Sequence, residues 1–263
     1  MASSPSTPPH APILSVDPVP QAGSPERPED EGRYGDVVLI IDVLRATTTV
    51  PLVLEGGATR VGLTASHRVA RSVAAEDGGW LLGERRGVPP EGFNFGNAPA
   101  TLAGRTFDGP ALLVSENAPL AAAAMADARR VTLASLVNAG AVVADALAHA
   151  RERIDVVACG FRGAPGLDDL LVAGFLADRL LRGRDDLVPA GATQMALDLM
   201  RAERDPLRLL YASRSGRYLR RLGLDADVGA SADLDRVDVV PVLTAREARH
   251  GGDVFAFAPA DAP

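Results

Sequence analysis

Along the chain, short unbroken apolar runs alternate with amphipathic stretches, and polar residues collect where one gives way to the next. The clearest run is Val37–Ile41, apolar and rich in β-branched residues, the pattern of a strand buried on both faces of a parallel sheet. Residues 47–55 then read as a helix, with hydroxyls at its start, Pro51 in its first turn and Gly56-Gly57 at its end. A short strand near 60–63, a helix near 66–76 and a strand at 80–82 follow. Past a long loop the alternation resumes, with strands at 111–114, 130–134 and 154–158 and helices at 119–125, 139–150 and 168–181, the last capped by Asp168 or a neighbour. Strand after strand ends in a small, polar or acidic turn that feeds a helix, which predicts an α/β fold: a mostly parallel sheet with flanking helices, with room for two α/β lobes. From Val188 onward the pattern becomes more helical, with candidates at 194–203 and 217–222, before late strands at 237–243 and 254–257. No internal repeat stands out.

Residues 1–33 are rich in Pro, Ser and acids and have little to bury, so they read as a flexible N-terminal segment, although Ile13, Leu14 and Val16 suit an edge strand. Residues 34–258 form the α/β region, and 259–263 a frayed end. Residues 83–99, GERRGVPPEGFNFGNAP, are too dense in Gly, Pro and Asn for a regular element. This loop carries Glu84, Arg85, Arg86, Glu91, Asn94 and Asn97, with Phe93 and Phe95 to anchor it. A long polar loop inside a compact α/β unit is more often functional than accidental.

Composition narrows the function classes. A formal charge of −7 over 263 residues argues against a general nucleic-acid binder, which needs a positive footprint. No apolar run approaches a membrane span, and no basic region precedes an apolar core at the start, so a cytoplasmic location is the default expectation. Cys159 is the only cysteine, which removes a disulfide framework and a cysteine-based zinc cluster. All 27 basic residues are arginine, so there is neither a Schiff-base lysine nor a P-loop lysine. The four histidines are scattered outside any metal-binding pattern. The sequence does not set the oligomeric state, and a homo-oligomer is compatible with it.

Candidate chemistry gathers at the junction after residue 41, where Asp42, Arg45 and Thr47 meet as a strand hands over to a helix. In open α/β sheets ligands sit beyond the carboxyl ends of the strands, with helix N-termini available for anions, so this stretch reads as half of a phosphate-and-metal site. Asp42 and Glu84, each just past a strand, are candidate Mg²⁺ ligands, with Asp169 as a third; magnesium prefers oxygen and keeps several waters. Arg45 and Arg85 offer planar forks for phosphate or carboxylate. Thr47, Glu91, Asn97 and Asn117 complete the candidate substrate-binding set. A mutual Asp42–Arg45 salt bridge and simple helix capping by Asp168 and Asp169 are the competing structural roles. Cys159 ends a strand before a glycine, where a nucleophilic thiolate could lie, yet a lone cysteine after an apolar run is more often a small buried residue. A tyrosine-phosphatase cradle would need arginine where Pro165 stands, and an aspartyl-phosphate enzyme a second aspartate where Leu44 stands. Metal-activated water is therefore favoured over a covalent intermediate. A nucleotide-binding module is disfavoured by the absence of GxGxxG and of a Walker lysine.

Three stretches, IDVLRATTT (41–49), GERRGVPPEGFNFGNAP (83–99) and VVACGFRGAPGLDDLLVAG (156–174), together resemble the 2-phosphosulfolactate phosphatase (ComB-like) family. SLVNAGAV (135–142) and SGRYLRRLGLDAD (215–227) also fit, so the resemblance spans about 36–245. It implies an α/β protein that hydrolyses, with magnesium, a phosphate ester on a small acidic three-carbon substrate, with Asp42, Arg45, Glu84 and Cys159 in the catalytic stretches. One turn departs from the family pattern. Where the family reads Thr-Thr-Asn-Gly-Thr-Arg, this chain has Ser115-Glu116-Asn117-Ala118-Pro119-Leu120, which keeps the asparagine and loses the glycine, the following hydroxyl and the arginine. The alternative expectation is thus a family member without turnover that binds a small anionic ligand.

Overall fold

The computed structural model describes residues 11–20 and 34–260. Two β-α-β-α-β units follow each other in the chain. The first comprises β2 (Val37–Ile41), α1 (Ala46–Glu55), β3 (Val61–Thr64), α2 (His67–Asp77) and β4 (Trp80–Gly83), followed by the loop and the single turn of α3 (Pro99–Leu102). The second comprises β5 (Ala111–Val114), α4 (Ala118–Met125), β6 (Arg130–Leu133), α5 (Ala139–His149) and β7 (Arg153–Ala158), followed by α6 (Leu167–Gly183). Ahead of both lies β1 (Ile13–Asp17). After them come β8 (Val188–Gly191), α7 (Thr193–Ala202), α8 (Pro206–Ala212), α9 (Arg214–Arg221), α10 (Asp225–Ser231) and the hairpin β9 (Pro241–Arg249)–β10 (Gly252–Pro259).

Among the described residues all ten strands form one sheet, in the order β4-β5-β3-β10-β9-β6-β2-β7-β1-β8. The order carries a symmetry hidden in the sequence. β2 of the first unit lies between β6 and β7 of the second, and β5 of the second lies between β3 and β4 of the first. The units have exchanged their first strands across a pseudo-twofold that relates β9 to β10. This corrects the reading that the chain holds no repeat. Pairing is parallel within each set and antiparallel only through the hairpin, which meets β6 at the single residue pair Thr132–Val242. So narrow a junction lets the sheet curl until the carboxyl ends of β2 and β5 face each other: Ser115, just past β5, donates to Asp42, just past β2, at 3.3 Å.

The two-faced burial read from residues 37–41 is what the core uses. Val37, Leu39 and Ile41 pack with α5, α6 and α7, whereas Val38 and Ile40 pack on the other face with α1, α4, β3, β5 and β10. Residues 46–54 of α1 are all buried, as befits a helix enclosed inside the curl rather than laid on a surface. Several expectations need correction. Ile13–Asp17 form not an edge strand but an interior one, paired with β7 on one side and β8 on the other. Residues 1–10 and 21–33 of the proposed flexible segment, and residues 261–263, lie outside the described residues. α1 has Arg45 at its N-cap position and no side-chain cap, because the threonine hydroxyls that were expected to cap it bond elsewhere. α6 is likewise uncapped by Asp168 or Asp169. The hairpin strand β9 starts four residues later than expected, and β8, α8 and α10 were not anticipated. No helix among the described residues is long and apolar enough to cross a membrane.

Candidate active site

The β2–α1 connection is held rigid by its own hydroxyls. Thr47 Oγ1 accepts from the Asp42 N–H at 3.0 Å, Thr48 Oγ1 donates to the Val43 carbonyl at 2.9 Å, and Thr49 Oγ1 donates to Asn97 Oδ1 at 2.6 Å. These threonines are fully buried. The hydroxyl row thus shapes the loop that presents Asp42 and Arg45, whose peptide bond to Leu44 is cis.

Asp42 and Arg45 do not pair with each other. Arg45 is buried and reaches across the cleft wall, donating to Asp227 of α10 at 2.7 Å and to Glu84 at 2.8 Å, with a third bond to the Gly87 carbonyl at 3.1 Å. Asp227 in turn accepts from the Ala100 N–H at 3.1 Å. Arg45 therefore ties the loop after β2 to the loop after β4 and to the late helices. Glu84 is only half-buried, and just one of its oxygens is engaged by Arg45.

Asp42 meets a different set of neighbours. Beside it stand Asp168 and Asp169 from the first turn of α6, and all three line a cavity of about 350 Å³ together with Arg45 and Glu84. Burial, then the charges of Glu84 and Asp168, push the Asp42 carboxyl up to about 7, against the Ala118 N–H and the Ser115 hydroxyl, which favour its ionised form. Burial likewise raises Asp168, against the Ser215 hydroxyl, and burial with the charges of Asp168 and Asp42 raises Asp169 well above the ordinary range. Asp169 also bridges two loops, its oxygens accepting from the Val43 and Gly160 N–H groups at 2.9 Å each.

The two units add matching turns to this cleft. Arg85 and Val88 exchange backbone hydrogen bonds around Arg86-Gly87, and Phe161 and Ala164 do the same around Arg162-Gly163. φ is +56° and +87° in the first pair, +50° and +77° in the second, the pattern of a two-residue type I′ turn. Each turn reads Arg-Gly-small-Pro: Arg86-Gly87-Val88-Pro89 after β4, and Arg162-Gly163-Ala164-Pro165 after β7. Helix α9 spans both. Tyr218 donates to the Arg86 carbonyl at 2.9 Å, and the Arg214 guanidinium lies 4.3 Å from the centre of the Phe161 ring. Gly87 is favoured where it stands by its φ of +87°, a conformation that side chains rarely adopt.

Of the residues singled out in the sequence, Asp42, Arg45, Glu84, Asn117 and Asp169 line the cleft. Thr47 lies behind it. Asn97 is buried away from it, on Thr49. Arg85 contributes backbone to its turn while its side chain is exposed outside the cleft lining, which Arg86 joins instead. Glu91 is exposed, and only its carbonyl is engaged, by Arg71. Cys159 is buried beneath the floor, where burial first, then Asp42 and Asp169, push its thiol well above its usual value. Phe95 anchors the long loop by stacking on Trp80, and Asn94 accepts from the Leu81 N–H at 2.7 Å. Asp168, Asp227, Arg162 and Arg214 were not anticipated as site residues. Sequence signals existed for three of them: Arg162 and Asp168 lie in the family-like stretch 156–174 and Asp227 ends the stretch 215–227, while the recurring Arg-Gly-small-Pro marks Arg162 alone. Among the described residues no group of three or more His, Cys, Asp or Glu side chains is arranged to hold a metal.

The comparisons with known proteins bear on most of this architecture. The family model described as 2-phosphosulpholactate phosphatase matches residues 23–246. A Deinococcus radiodurans protein named "Probable 2-phosphosulfolactate phosphatase" is 42% identical over 216 residues, covering 81% of this chain and 90% of its own length. Proteins of the same name from Thermus thermophilus and a Synechococcus strain are 38% and 37% identical, each covering 83% of this chain and over nine-tenths of its own. The chain belongs to the 2-phosphosulpholactate phosphatase family.

Proposed function

We propose that this protein is a phosphatase that hydrolyses 2-phosphosulfolactate, or a close phosphorylated three-carbon acid, in the cleft between its two parallel strand sets. The observation that carries the reading is the charge arrangement. Buried carboxylates that repel one another, Asp42, Asp168 and Asp169, face exposed arginines across one hollow. Like charges at low dielectric call for a cation, and the arginines call for an anion. Phosphoryl transfer needs both.

Mg²⁺ fits this donor set, because it needs only one or two carboxylates and completes its shell with water. Asp42 with Asp168 would hold it, since both oxygens of Asp169 already accept from the Val43 and Gly160 N–H groups. Glu84 is less suited than expected as a ligand, because one of its oxygens is committed to Arg45. When bound, the ion would neutralise the phosphoryl oxygens and acidify a water. Glu84, pinned on one oxygen by Arg45, keeps the other for the cleft and would serve as the general base there. Arg45 keeps Glu84 in place and carries no vacant fork for the substrate, so the role of anion clamp passes to the turn arginines. Cys159, buried and with its thiol raised, is unsuited to attack as a thiolate, which supports water as the nucleophile. The N-terminus of α4 approaches the same place through Ala118, and Glu116 stands exposed at its rim.

The test is orthophosphate release from 2-phosphosulfolactate, the phosphoglycerates and phospholactate, with added Mg²⁺ and with EDTA. Release confined to the magnesium arm is expected. Turnover undiminished by EDTA would overturn the metal assignment, and no release from any ester would leave a binding protein.

A further inference from the structure

We infer that the paired Arg-Gly turns hold the two ends of a doubly acidic substrate, with Arg162 on the phosphoryl group and Arg86 selecting a second acidic group on the same molecule. The inference rests on the phosphatase reading and adds to it which residues set substrate class.

Three observations carry it. First, the pseudo-twofold places one such turn at the end of β4 and one at the end of β7, and both arginines line the same cavity. Second, each arginine sits at positive φ, +56° and +50°, a conformation that non-glycine residues rarely adopt and that structures retain mainly where function needs it. Hairpin turns of this type ordinarily use Asn or Gly there. Third, neither guanidinium pairs with a carboxylate among the described residues, whereas Arg45 in the same cavity and many surface arginines do; of the other arginines in the lining, Arg214 lies against the Phe161 ring and Arg221 near the Tyr218 ring. Arg162 has only the neighbouring Phe161 ring, 5.2 Å from the guanidinium carbon.

The two turns differ in what surrounds them, and that difference assigns the ends. The Arg162 turn leads into α6, whose first turn brings Asp168 and Asp169 to the cavity beside Asp42. A phosphoryl group belongs there, next to the acidic cluster that a cation would satisfy. The Arg86 turn brings fewer carboxylates to the cavity: Glu91 in the loop beyond it is exposed away from the hollow, and Glu84 before it has one oxygen held by Arg45, which also pairs with Asp227. The Arg86 side is therefore the one that favours an anion without a metal, which suits a carboxylate or a sulfonate.

Calorimetric titration of the full chain in magnesium buffer tests this with two ligands that cannot be hydrolysed, phosphonoacetate (phosphonate plus carboxylate) and methylphosphonate (phosphonate alone). The wild type should prefer phosphonoacetate by about ten- to a hundredfold, the range expected of one charged hydrogen-bonded pair. Arg86→Asn should bring the ratio close to one while leaving methylphosphonate affinity within about twofold. Arg162→Asn should weaken both ligands about tenfold or more and keep the ratio. Asparagine suits positive φ, and Arg86→Gly, equally compatible with the turn, should reproduce the Arg86→Asn result. A wild type without the preference, an Arg86→Asn variant that keeps it, or its loss in Arg162→Asn instead would overturn the inference. Predicted binding without orthophosphate release from any ester would overturn the phosphatase reading and leave the two-anion assignment standing.

Discussion

Replacing Asp42 by asparagine should stabilise the fold while silencing it. Asp42 is buried, and desolvation together with Glu84 and Asp168 raises its carboxyl from 3.8 to about 7. A rise of that size is worth about 4 kcal/mol of unfavourable free energy once the group is ionised. The sign follows directly. A raised folded-state pKa gives stability that is complete below the unfolded value, near 3.9, and is lost as pH climbs through about 7. In EDTA at pH 8 the wild type carries this penalty; at pH 4 it does not. Asparagine keeps the size of the side chain and an acceptor for Ser115 and the Ala118 N–H, but cannot ionise. Because the remaining acids relax when one charge goes, we expect a gain of about 2–4 kcal/mol at pH 8, or about 5–15 °C in Tm for a chain of this length. At pH 4 the gain should vanish. Thermal unfolding followed by circular dichroism at both pH values reads the effect. Equal Tm for variant and wild type at pH 8 would refute the claim that repulsion is stored at Asp42.

Other sites give predictions of the opposite sign. Asp36 accepts backbone N–H groups from residues 151–153 and an ion pair from Arg129; although burial raises its pKa, these bonds hold it below the ordinary value. Its stabilisation should be present above the unfolded pKa and lost as pH falls through the folded one, so Asp36→Asn should cost about 1–3 kcal/mol at pH 7 and flatten the acid limb of the stability curve, measured by urea unfolding. Arg45→Ala strands Asp227 and frees Glu84, and should cost about 3–5 kcal/mol along with activity, whereas Arg45→Ala/Asp227→Asn should recover part of the stability and none of the activity. Gly160 has φ +62°, and a Cβ there would lie 2.3 Å from the Ala164 carbonyl oxygen, so Gly160→Ala should distort the Arg162 turn and lower Tm by several degrees.

What the sequence made legible was local. The run at Val37–Ile41 announced a strand buried on two faces, and its alternation divides the core as that pattern requires. The strand–turn–helix alternation through residue 183 gave the α/β class and most element positions. The pairing order was beyond reach because it is non-local: β2 joins strands about 90 and 115 residues away, and the last hairpin inserts into the middle of the sheet. Residues 13–17 read as an edge strand because nothing nearby in sequence could show that β8 would cover them. Short α8 and α10 carry too few turns for a period to emerge. In the site, Asp42, Arg45 and Glu84 were visible as polar residues at strand ends, whereas Asp227, the partner of Arg45, lies 182 residues further on at the end of SGRYLRRLGLDAD, where nothing local shows that it meets Arg45. Thr47 and Asn97 looked available to a ligand because sequence does not reveal which hydroxyls and amides the backbone claims first. The repeat escaped notice since strand exchange and substitution leave only the four-residue Arg-Gly turns alike.

If this cleft is the catalytic centre, its acids carry out the hydrolysis. Initial rates of orthophosphate release from 2-phosphosulfolactate with Mg²⁺ should fall by about a hundredfold or more in Asp42→Asn and in Asp168→Asn, both folded and thermally at least as stable as the wild type at pH 8. Either variant turning over at close to the wild-type rate would contradict it.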